Sequence, residues 1–283
     1  MYGPGDVRVE EREAPRIVEP TDAVIRVSAA CVCGSDLWPY RGVEEYQWPA
    51  PMGHEYAGIV EEVGAEVQTI KPGQFVVGSF WASDNTCEIC RAGYQSGCVN
   101  RVPMGSLGAQ ADLLRVPLAD GTLVATPDVP SDDLVPSLLS ASDVLGTGWF
   151  GAVAAEAGPG KTVAVGAIKE LTNGLGAHSV VEAVGTQESM MQAIHATRAG
   201  GHVGFVGVGH GVALDGMDLF WSLAHVHGGP APVRRFLPEL IDLIWNGRIN
   251  PGNVFDLELP LDEAAAGYRA MDQREAIKVL LRP

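Results

Sequence analysis

No stretch of this chain approaches the roughly 18 to 20 consecutive apolar residues that a membrane span needs, so no membrane partner is expected. Basic residues are scarce, with 19 Lys plus Arg against 35 Asp plus Glu and a formal charge of −16. Such a balance repels phosphate backbones and anionic lipid surfaces on average, which argues against nucleic-acid binding. Residues 1–16 have neither the cationic start nor the apolar stretch of a secretory signal, and a cytoplasmic location is expected. Cysteines number five, an odd count in two tight clusters, which suits reduced thiolates holding metal better than a disulfide framework. Internal repeats and low-complexity tracts are also absent. What the chain does have is 283 residues, 46% of them hydrophobic and 19% charged, enough for two domains with sizeable cores.

The first part reads as short β-rich segments at 22–31, 56–64, 74–81 and 111–118, with alternating β-branched residues between Gly and Pro punctuation. That pattern predicts an antiparallel, barrel-like domain. From about Asp143 the character changes to an Ala-rich helix over 148–156, a Gly158-Pro159-Gly160 turn and a short strand over Thr162–Val165. A helix at Ala167–Leu171, a strand at Ser179–Val184, a helix at Gln187–Arg198 and a strand at His202–Val208 continue a βαβαβ rhythm. These strands are apolar almost throughout, as a sheet covered on both faces requires. Arg234–Trp245 carries apolar residues at helical spacing. A strand at Val254–Leu259, a helix at Leu261–Met271 and a strand at Ala276–Leu281 then return to the first domain. The expected division is 1–145 with 253–283 for the β domain, and 146–252 for the α/β domain.

Cys87, Cys90 and Cys98 form C-x2-C-x7-C, and Asp84 stands three residues before the first. Zinc accepts carboxylate oxygen as well as thiolate sulfur, so Asp84 with the three cysteines can close a tetrahedron. Within a Gly- and Asn-containing loop this set favours structural zinc over simple packing, the cysteines more firmly than Asp84. A nucleic-acid zinc ribbon would need surrounding Lys and Arg that this chain lacks. Earlier, Cys33-Gly34-Ser35-Asp36 and Gly53-His54-Glu55 bring a thiolate, an imidazole and carboxylates from separate loops, and catalytic zinc sites use three protein ligands with one position open. Singly, a His or Cys is more often packed or surface-exposed than metal-bound; the joint arrangement carries the weight. The HExxH protease motif is absent, because Gly58 occupies its last position.

The segment Gly53–Val67, GHEYAGIVEEVGAEV, is similar to the GHExxG signature of zinc-dependent alcohol dehydrogenases of the medium-chain dehydrogenase/reductase superfamily. Cys33-Gly34-Ser35-Asp36 before it, the cysteine lobe after it, and Asp143 in DVLGTGW extend the resemblance over almost the whole chain. It implies a GroES-like catalytic domain with a Rossmann-type nucleotide-binding domain, zinc at two sites per chain, NAD or NADP, a small alcohol, aldehyde or ketone as substrate, and a homo-oligomer, dimeric or tetrameric. Carried over residue by residue, Cys33, His54 and Asp143 resemble the catalytic zinc ligands, and Glu55 the nearby carboxylate that can approach the metal. Asp36 resembles the acid that orients the ligand imidazole, and Ser35 the hydroxyl that hydrogen-bonds the substrate. Trp38 stands where many relatives place a proton-relaying His; Trp38 and Phe80 fall at positions that line the substrate pocket, or are ordinary core aromatics. Thr147, Gly185, Val206, Gly207 and Val208 are the residues that the resemblance leaves for cofactor contact.

One expected part is missing. A dinucleotide fold needs a strand, a G-x-G-x-x-G turn, a helix, and a second strand ending in a residue that reads the ribose. Here residues 166–178 alone separate the strand ending at Val165 from that beginning at Ser179, whereas one βαβ unit takes about 30 residues or more. Gly174-Leu175-Gly176 precedes a strand, Gly158–Thr162 lacks the first glycine of a P-loop, and Gly207-Val208-Gly209 has Val212 in place of its third glycine, so none is a phosphate site by sequence. Tyr2–Asp6 likewise resembles a turn whose preceding strand is absent. The Rossmann-type domain is therefore expected to be incomplete. The alternative reading is a non-catalytic zinc-binding remnant or engineered scaffold of the family. The zinc-free quinone reductase branch would leave Cys33, His54 and the cysteine lobe unexplained.

Overall fold

The computed structural model describes residues 1–44, 46–164, 172 and 174–283. They form two compact units, Met1–Leu145 with Val233–Pro283, and Gly146–Pro232. In chain order the described strands are β1 (Ala23–Cys31), β2 (Tyr56–Val63), β3 (Phe75–Gly78), β4 (Trp81–Ala82), β5 (Val102–Pro103), β6 (Leu113–Val116) and β7 (Leu123–Ala125) in the first unit. The second unit adds β8 (Val163–Ala164), β9 (Ala177–Glu182), β10 (Thr197–Phe205) and β11 (His225–Gly228), and the first resumes with β12 (Leu257–Pro260) and β13 (Val279–Arg282).

The first unit is built around β1. Its nine residues pair antiparallel with β2 from Ala23↔Val63 to Ala30↔Tyr56, with two register shifts, at Val24/Ile25 and Val27/Ala29. Its opposite edge is shared, β6 pairing with Ala23–Arg26 and β13 with Ala30–Cys31. Register shifts of this kind bend a strand and raise its twist, so β1 can serve two partners along one edge of a curved sheet ordered β12-β13-β1-β2-β3-β7. Ile25, Tyr56, Val76, Leu114 and Leu123 fill its core. A second cluster of Val32, Leu37, Tyr268, Met271, Val279 and Leu281 packs where the C-terminal strands join.

This pairing also sets up the chemistry. Strand β1 ends two residues before Cys33, and β2 begins directly after His54-Glu55, so the Ala30↔Tyr56 pair holds both motif loops at one end of the sheet.

The second unit is a parallel four-stranded sheet in the order β11-β10-β9-β8. The helix Gln187–Ala196 starts at Thr186, whose hydroxyl accepts from the Ser189 amide, an N-cap that satisfies an otherwise orphaned donor. The helix ending at Ala154 lies close on β10, because a Cβ at Gly204 would stand 2.2 Å from the Gly151 carbonyl oxygen. Among the described residues no helix is long and apolar enough to cross a membrane.

Several boundaries differ from those read in the sequence. The helix Val233–Trp245, expected within the α/β domain to residue 252, belongs to the first unit and buries Phe236, Leu237, Leu240, Ile241 and Ile244 there. Periodicity identifies the apolar face of a helix but not the core that receives it. The 74–81 segment breaks into β3 and β4, the latter pairing with β5. The helix begun at Gln187 gives way to strand at Thr197, and the strand read at Val254–Leu259 opens as a 3-10 turn, Pro251–Val254. Strand β11 carries no apolar strand pattern, because two of its four residues are histidines. Val165 and the helix read at Ala167–Leu171 lie outside the described residues.

Glycine at position 58 is a requirement of the β1–β2 contact, since a Cβ there would stand 2.1 Å from the Arg26 carbonyl oxygen and 2.9 Å from Val27 Cα. Gly58→Ala is therefore expected to cost at least about 2 kcal/mol, as overpacking against immovable backbone does. Urea unfolding checks this, and an unchanged midpoint would contradict the contact.

Candidate functional site

The first motif loop leaves β1 and turns through a 3-10 segment, Gly34–Asp36, with the Cys33 amide donating to Asp36 Oδ2 at 2.9 Å. This tight turn points Cys33 and Asp36 toward the second loop. There His54 lies between two carboxylates, Nδ1 at 3.4 Å from Asp36 Oδ1 and Nε2 at 3.1 Å from Asp143 Oδ2. Cys33 Sγ is 3.7 Å from the same Asp143 oxygen. Asp143 comes from the residue just before the helix Val144–Ala154. Ligand atoms of Cys33, His54, Glu55 and Asp143 all lie within 4.8 Å of one another.

The donor set suits zinc: one sulfur, one imidazole nitrogen and carboxylate oxygens around a common point. Asp36 engages Nδ1 and so directs Nε2 at that point, the arrangement in which an outer carboxylate fixes the tautomer of a ligand histidine. Burial opposes an imidazolium at His54, but Asp36, Cys33 and Asp143 outweigh it and hold the pKa well above the ordinary value. Burial, reinforced by Glu55, pushes the Cys33 thiol up. Both groups therefore keep protons that a dication would have to displace.

Two supporting residues were not anticipated. Gln110 joins the loops: its amide donates to the Met52 carbonyl, while its side chain donates to the Cys31 carbonyl at 3.0 Å and accepts from the buried Tyr268 hydroxyl at 3.0 Å. A Cβ at Gly53, which sits at φ +89°, would fall 2.5 Å from Gln110 Cγ, so glycine precedes His54 because Gln110 occupies the space. Lys278 Nζ donates to Glu55 Oε1 at 2.7 Å, both groups buried, while Glu55 Oε2 has no hydrogen-bond partner. Burial pulls the Lys278 ammonium down, yet Cys31 and Glu55 outweigh it and keep it charged. The signal was available, since a lysine inside the apolar run Ala276–Leu281 is rarely buried unless paired. For Gln110 no sequence signal exists.

The second cluster lies on the 84–98 loop, where ligand atoms of Asp84, Cys87, Cys90 and Cys98 are also mutually within 4.8 Å. Tetrahedral zinc with Zn–S of about 2.3 Å needs sulfurs about 3.8 Å apart, so this set fits as well. Cys87 caps the short helix Glu88–Arg91, its sulfur accepting from the Cys90 amide at 3.4 Å, and Cys98 Sγ accepts from the amides of Asp84 and Asn100. Amide donors from Val99 and Cys90 bring the Cys87 thiol down to about 7, and burial pushes Cys90 up. Asp84 is held below the usual carboxylate range, against its partial burial, by donors that include the amides of Thr86 and Cys87 and the Asn100 side chain.

Beside His54 opens a cavity of about 160 Å³ whose lining includes Ser35, Asp36, Tyr46, Met52, Gly53 and His54. Neither Trp38 nor Phe80 is in that lining, although the Phe80 ring stands edge-on to His54 at 6.1 Å. Tyr46 and Met52 were not singled out by sequence.

Comparison with known proteins bears on these clusters. Residues 19–128 match the family described as alcohol dehydrogenase GroES-like domain, and 150–245 match zinc-binding dehydrogenase. A Mycobacterium tuberculosis protein named a probable zinc-binding alcohol dehydrogenase is 33% identical over 339 positions, covering 99% of this chain and 87% of that protein. This chain belongs to the zinc-type alcohol dehydrogenase family. Zinc-type alcohol dehydrogenase B of Aspergillus flavus is 29% identical over 345 positions, covering 100% of this chain and 80% of the relative. Alcohol dehydrogenase TADH from a Thermus species superposes with a TM-score of 0.89 at 28% identity, covering 100% and 98% of the two chains. The fold is thus GroES-like plus Rossmann-like, and the family is one of oxidoreductases within the medium-chain dehydrogenase/reductase superfamily. Both sequence alignments run over more positions than the 283 residues of this chain, so the relatives carry segments it lacks.

That shortfall bears on the family's dinucleotide. Among the described residues β8 has one neighbour, β9, and positions 165–176 alone join them. A two-halved dinucleotide fold places further strands beyond the first one, with a crossover of about 30 residues or more for each βαβ unit. The residues present do not fit a dinucleotide held in that way. Of the residues considered for cofactor contact, Gly185, Val206, Gly207 and Val208 come together after β9 and β10, and Thr147 lies on the helix Val144–Ala154.

Removing the Lys278 ammonium leaves the Glu55 carboxylate buried and uncompensated. Lys278→Met is expected to cost about 3–5 kcal/mol, and Glu55→Leu in the same chain to recover most of it; denaturant unfolding of both variants reads this, and equal stability of single and double variants would contradict the pairing. Because the raised pKa of His54 makes protons compete with zinc, retention of zinc at this centre against a fixed chelator should fall as pH drops from about 8 to about 6. Retention that does not change over this interval would refute the competition.

Proposed function

We propose that this chain is a zinc-dependent oxidoreductase acting between a small-molecule alcohol and its aldehyde or ketone, with a nicotinamide cofactor, NAD or NADP in the family's usual form, as hydride partner. The observation that carries this reading is the convergence of Cys33, His54, Glu55 and Asp143 beside a cavity that Ser35 lines. Cys33, His54 and Asp143 would hold the catalytic zinc, and Asp84, Cys87, Cys90 and Cys98 a structural one. Bound zinc supplies Lewis acidity, lowering the pKa of an alcohol or polarising a carbonyl.

The chain's own residues divide the remaining work. Asp36 keeps the His54 imidazole oriented, and Ser35 offers its hydroxyl to the substrate oxygen from the cavity wall. With Trp38 in place of a relaying histidine, no side chain beyond Ser35 is assigned to carry the proton onward. Phe80, edge-on to His54, places apolar surface beside the imidazole, but Trp38 and Phe80 lie outside the cavity lining and neither is assigned a contact with the substrate. Glu55, held by Lys278 through one oxygen, keeps its other oxygen unpaired near the ligand atoms. Thr147, Gly185, Val206, Gly207 and Val208 are the proposed contacts for the cofactor; because the dinucleotide does not fit the shortened sheet, no step is assigned to it.

The short 165–176 connection favours a second reading, a zinc-binding member of the family without hydride transfer. Assembly into a homodimer or homotetramer and a cytoplasmic location belong to the same proposal. Exposed Met217, Phe220, Trp221 and Leu223 around one helix support association, since contiguous apolar surface of this kind marks interaction sites.

Reduction of a panel of aldehydes and ketones by the zinc-loaded chain, supplied in turn with each reduced nicotinamide donor, separates the two readings. Turnover that disappears in Asp143→Ala is expected. Absence of transfer from every donor would leave the zinc-binding reading in its place.

A further inference from the structure

The cavity beside His54 is small and its walls are acidic. Its volume is about 160 Å³, close to the roughly 150 Å³ of an apolar cavity that takes up benzene, so it suits a ligand of about six or seven non-hydrogen atoms. Ser35 and His54 line it from the two motif loops, and Glu44 and Tyr46 line it from the loop that follows the short helix Leu37–Tyr40. A molecule that fills so confined a space touches both sets.

The charges around this space do not cancel. Zinc held by Cys33, His54 and Asp143 would be balanced by the Cys33 thiolate and the Asp143 carboxylate, and Lys278 balances Glu55. Asp36 and Glu44 remain as acids in the lining, and among the described residues that line the cavity none is Lys or Arg. Arg41, three positions before Glu44, is held by Asp272, its Nε donating to Oδ1 at 2.6 Å. Asp36 is committed to the turn and to the imidazole, accepting from the Cys33 amide at 2.9 Å and facing His54 Nδ1 at 3.4 Å. Glu44, half-buried in the wall, has no part in the zinc centre. Tyr46 sets an aromatic ring in the same lining, 5.5 Å from the ring of Trp48. A carboxylate and an aromatic ring together are the groups that attract an ammonium, and partial exclusion of water strengthens both attractions. A carboxylate on the ligand would instead meet like charge.

We infer that this cavity selects short alcohols and aldehydes that carry an ammonium group, the cation lying against Glu44 and Tyr46, over neutral or carboxylate-bearing analogues of the same size. The inference rests on the oxidoreductase reading for the choice of alcohol and aldehyde, and it concerns which ligand the cavity holds, not hydride transfer.

The test titrates the zinc-loaded full chain, by ligand-observed NMR, with choline and with 3,3-dimethylbutan-1-ol, a neutral alcohol of the same shape. The quaternary nitrogen of choline has no lone pair and cannot ligate zinc, so a difference between the two reports the charge alone. Choline should bind about tenfold tighter or more. In Glu44→Gln the two dissociation constants should agree within about threefold, with the zinc content and circular dichroism spectrum unchanged. Equal affinity in the native chain, a preference that Glu44→Gln leaves intact, or no binding of either probe at tens of millimolar would each overturn the inference. A Glu44-dependent preference without oxidation of any alcohol, whichever nicotinamide acceptor is supplied, would uphold it while removing the oxidoreductase reading. Turnover of neutral alcohols with no preference for the cation would do the reverse, so the two failures are distinguishable.

Discussion

Three carboxylates, Asp36, Glu55 and Asp143, are buried with the Cys33 thiol around one imidazole and one ammonium, and this imbalance of charge is what the first unit is organised around. Each buried ion costs several kcal/mol unless compensated. Lys278 compensates Glu55, and His54, protonated between Asp36 and Asp143, compensates part of the rest. A dication at the common point of the ligand atoms would replace the His54 proton and stabilise the remaining anions. The same imbalance explains why Gln110 and Tyr268 take part: they tie the loops together through neutral hydrogen bonds that add no charge.

The two clusters of candidate metal ligands are prepared differently. In the 84–98 loop, backbone amides already point at the cysteine sulfurs and pull Cys87 down to about 7, so a thiolate is available before any metal arrives. At the Cys33–His54 cluster burial pushes Cys33 up, and the candidate ligands come from loops that the β1–β2 pairing and the C-terminal strands bring together. The 84–98 lobe is organised by its own local hydrogen bonds. The Cys33–His54 set depends on the folded sheet.

This difference also decides what was legible in the sequence. The cysteine spacing and the Cys33 and His54 motifs could be read because each is contiguous or short-range, and the structure brings their ligand atoms together. Lys278 and Gln110 could not be placed, because their partners are long-range: Lys278 reaches Glu55 across 223 positions, and Gln110 reaches Cys31 across 79. The barrel-like sheet follows from alternating β-branched segments, whereas the helix Val233–Trp245, read with residues 146–252, packs in the first unit, since an amphipathic pattern does not name its partner. The short connection after β8 was visible from length alone, as no arrangement of residues 165–176 supplies a helix and strand pair of ordinary size.

The central claim, that Cys33, His54 and Asp143 form a metal centre independent of the cysteine lobe, is tested most directly by counting zinc per chain. Elemental mass spectrometry on the purified, dialysed chain and on His54→Gln provides the count. The account predicts two equivalents in the native chain and one in His54→Gln, the lobe retaining its own. A single equivalent in the native chain, or a count that His54→Gln leaves unchanged, would contradict it.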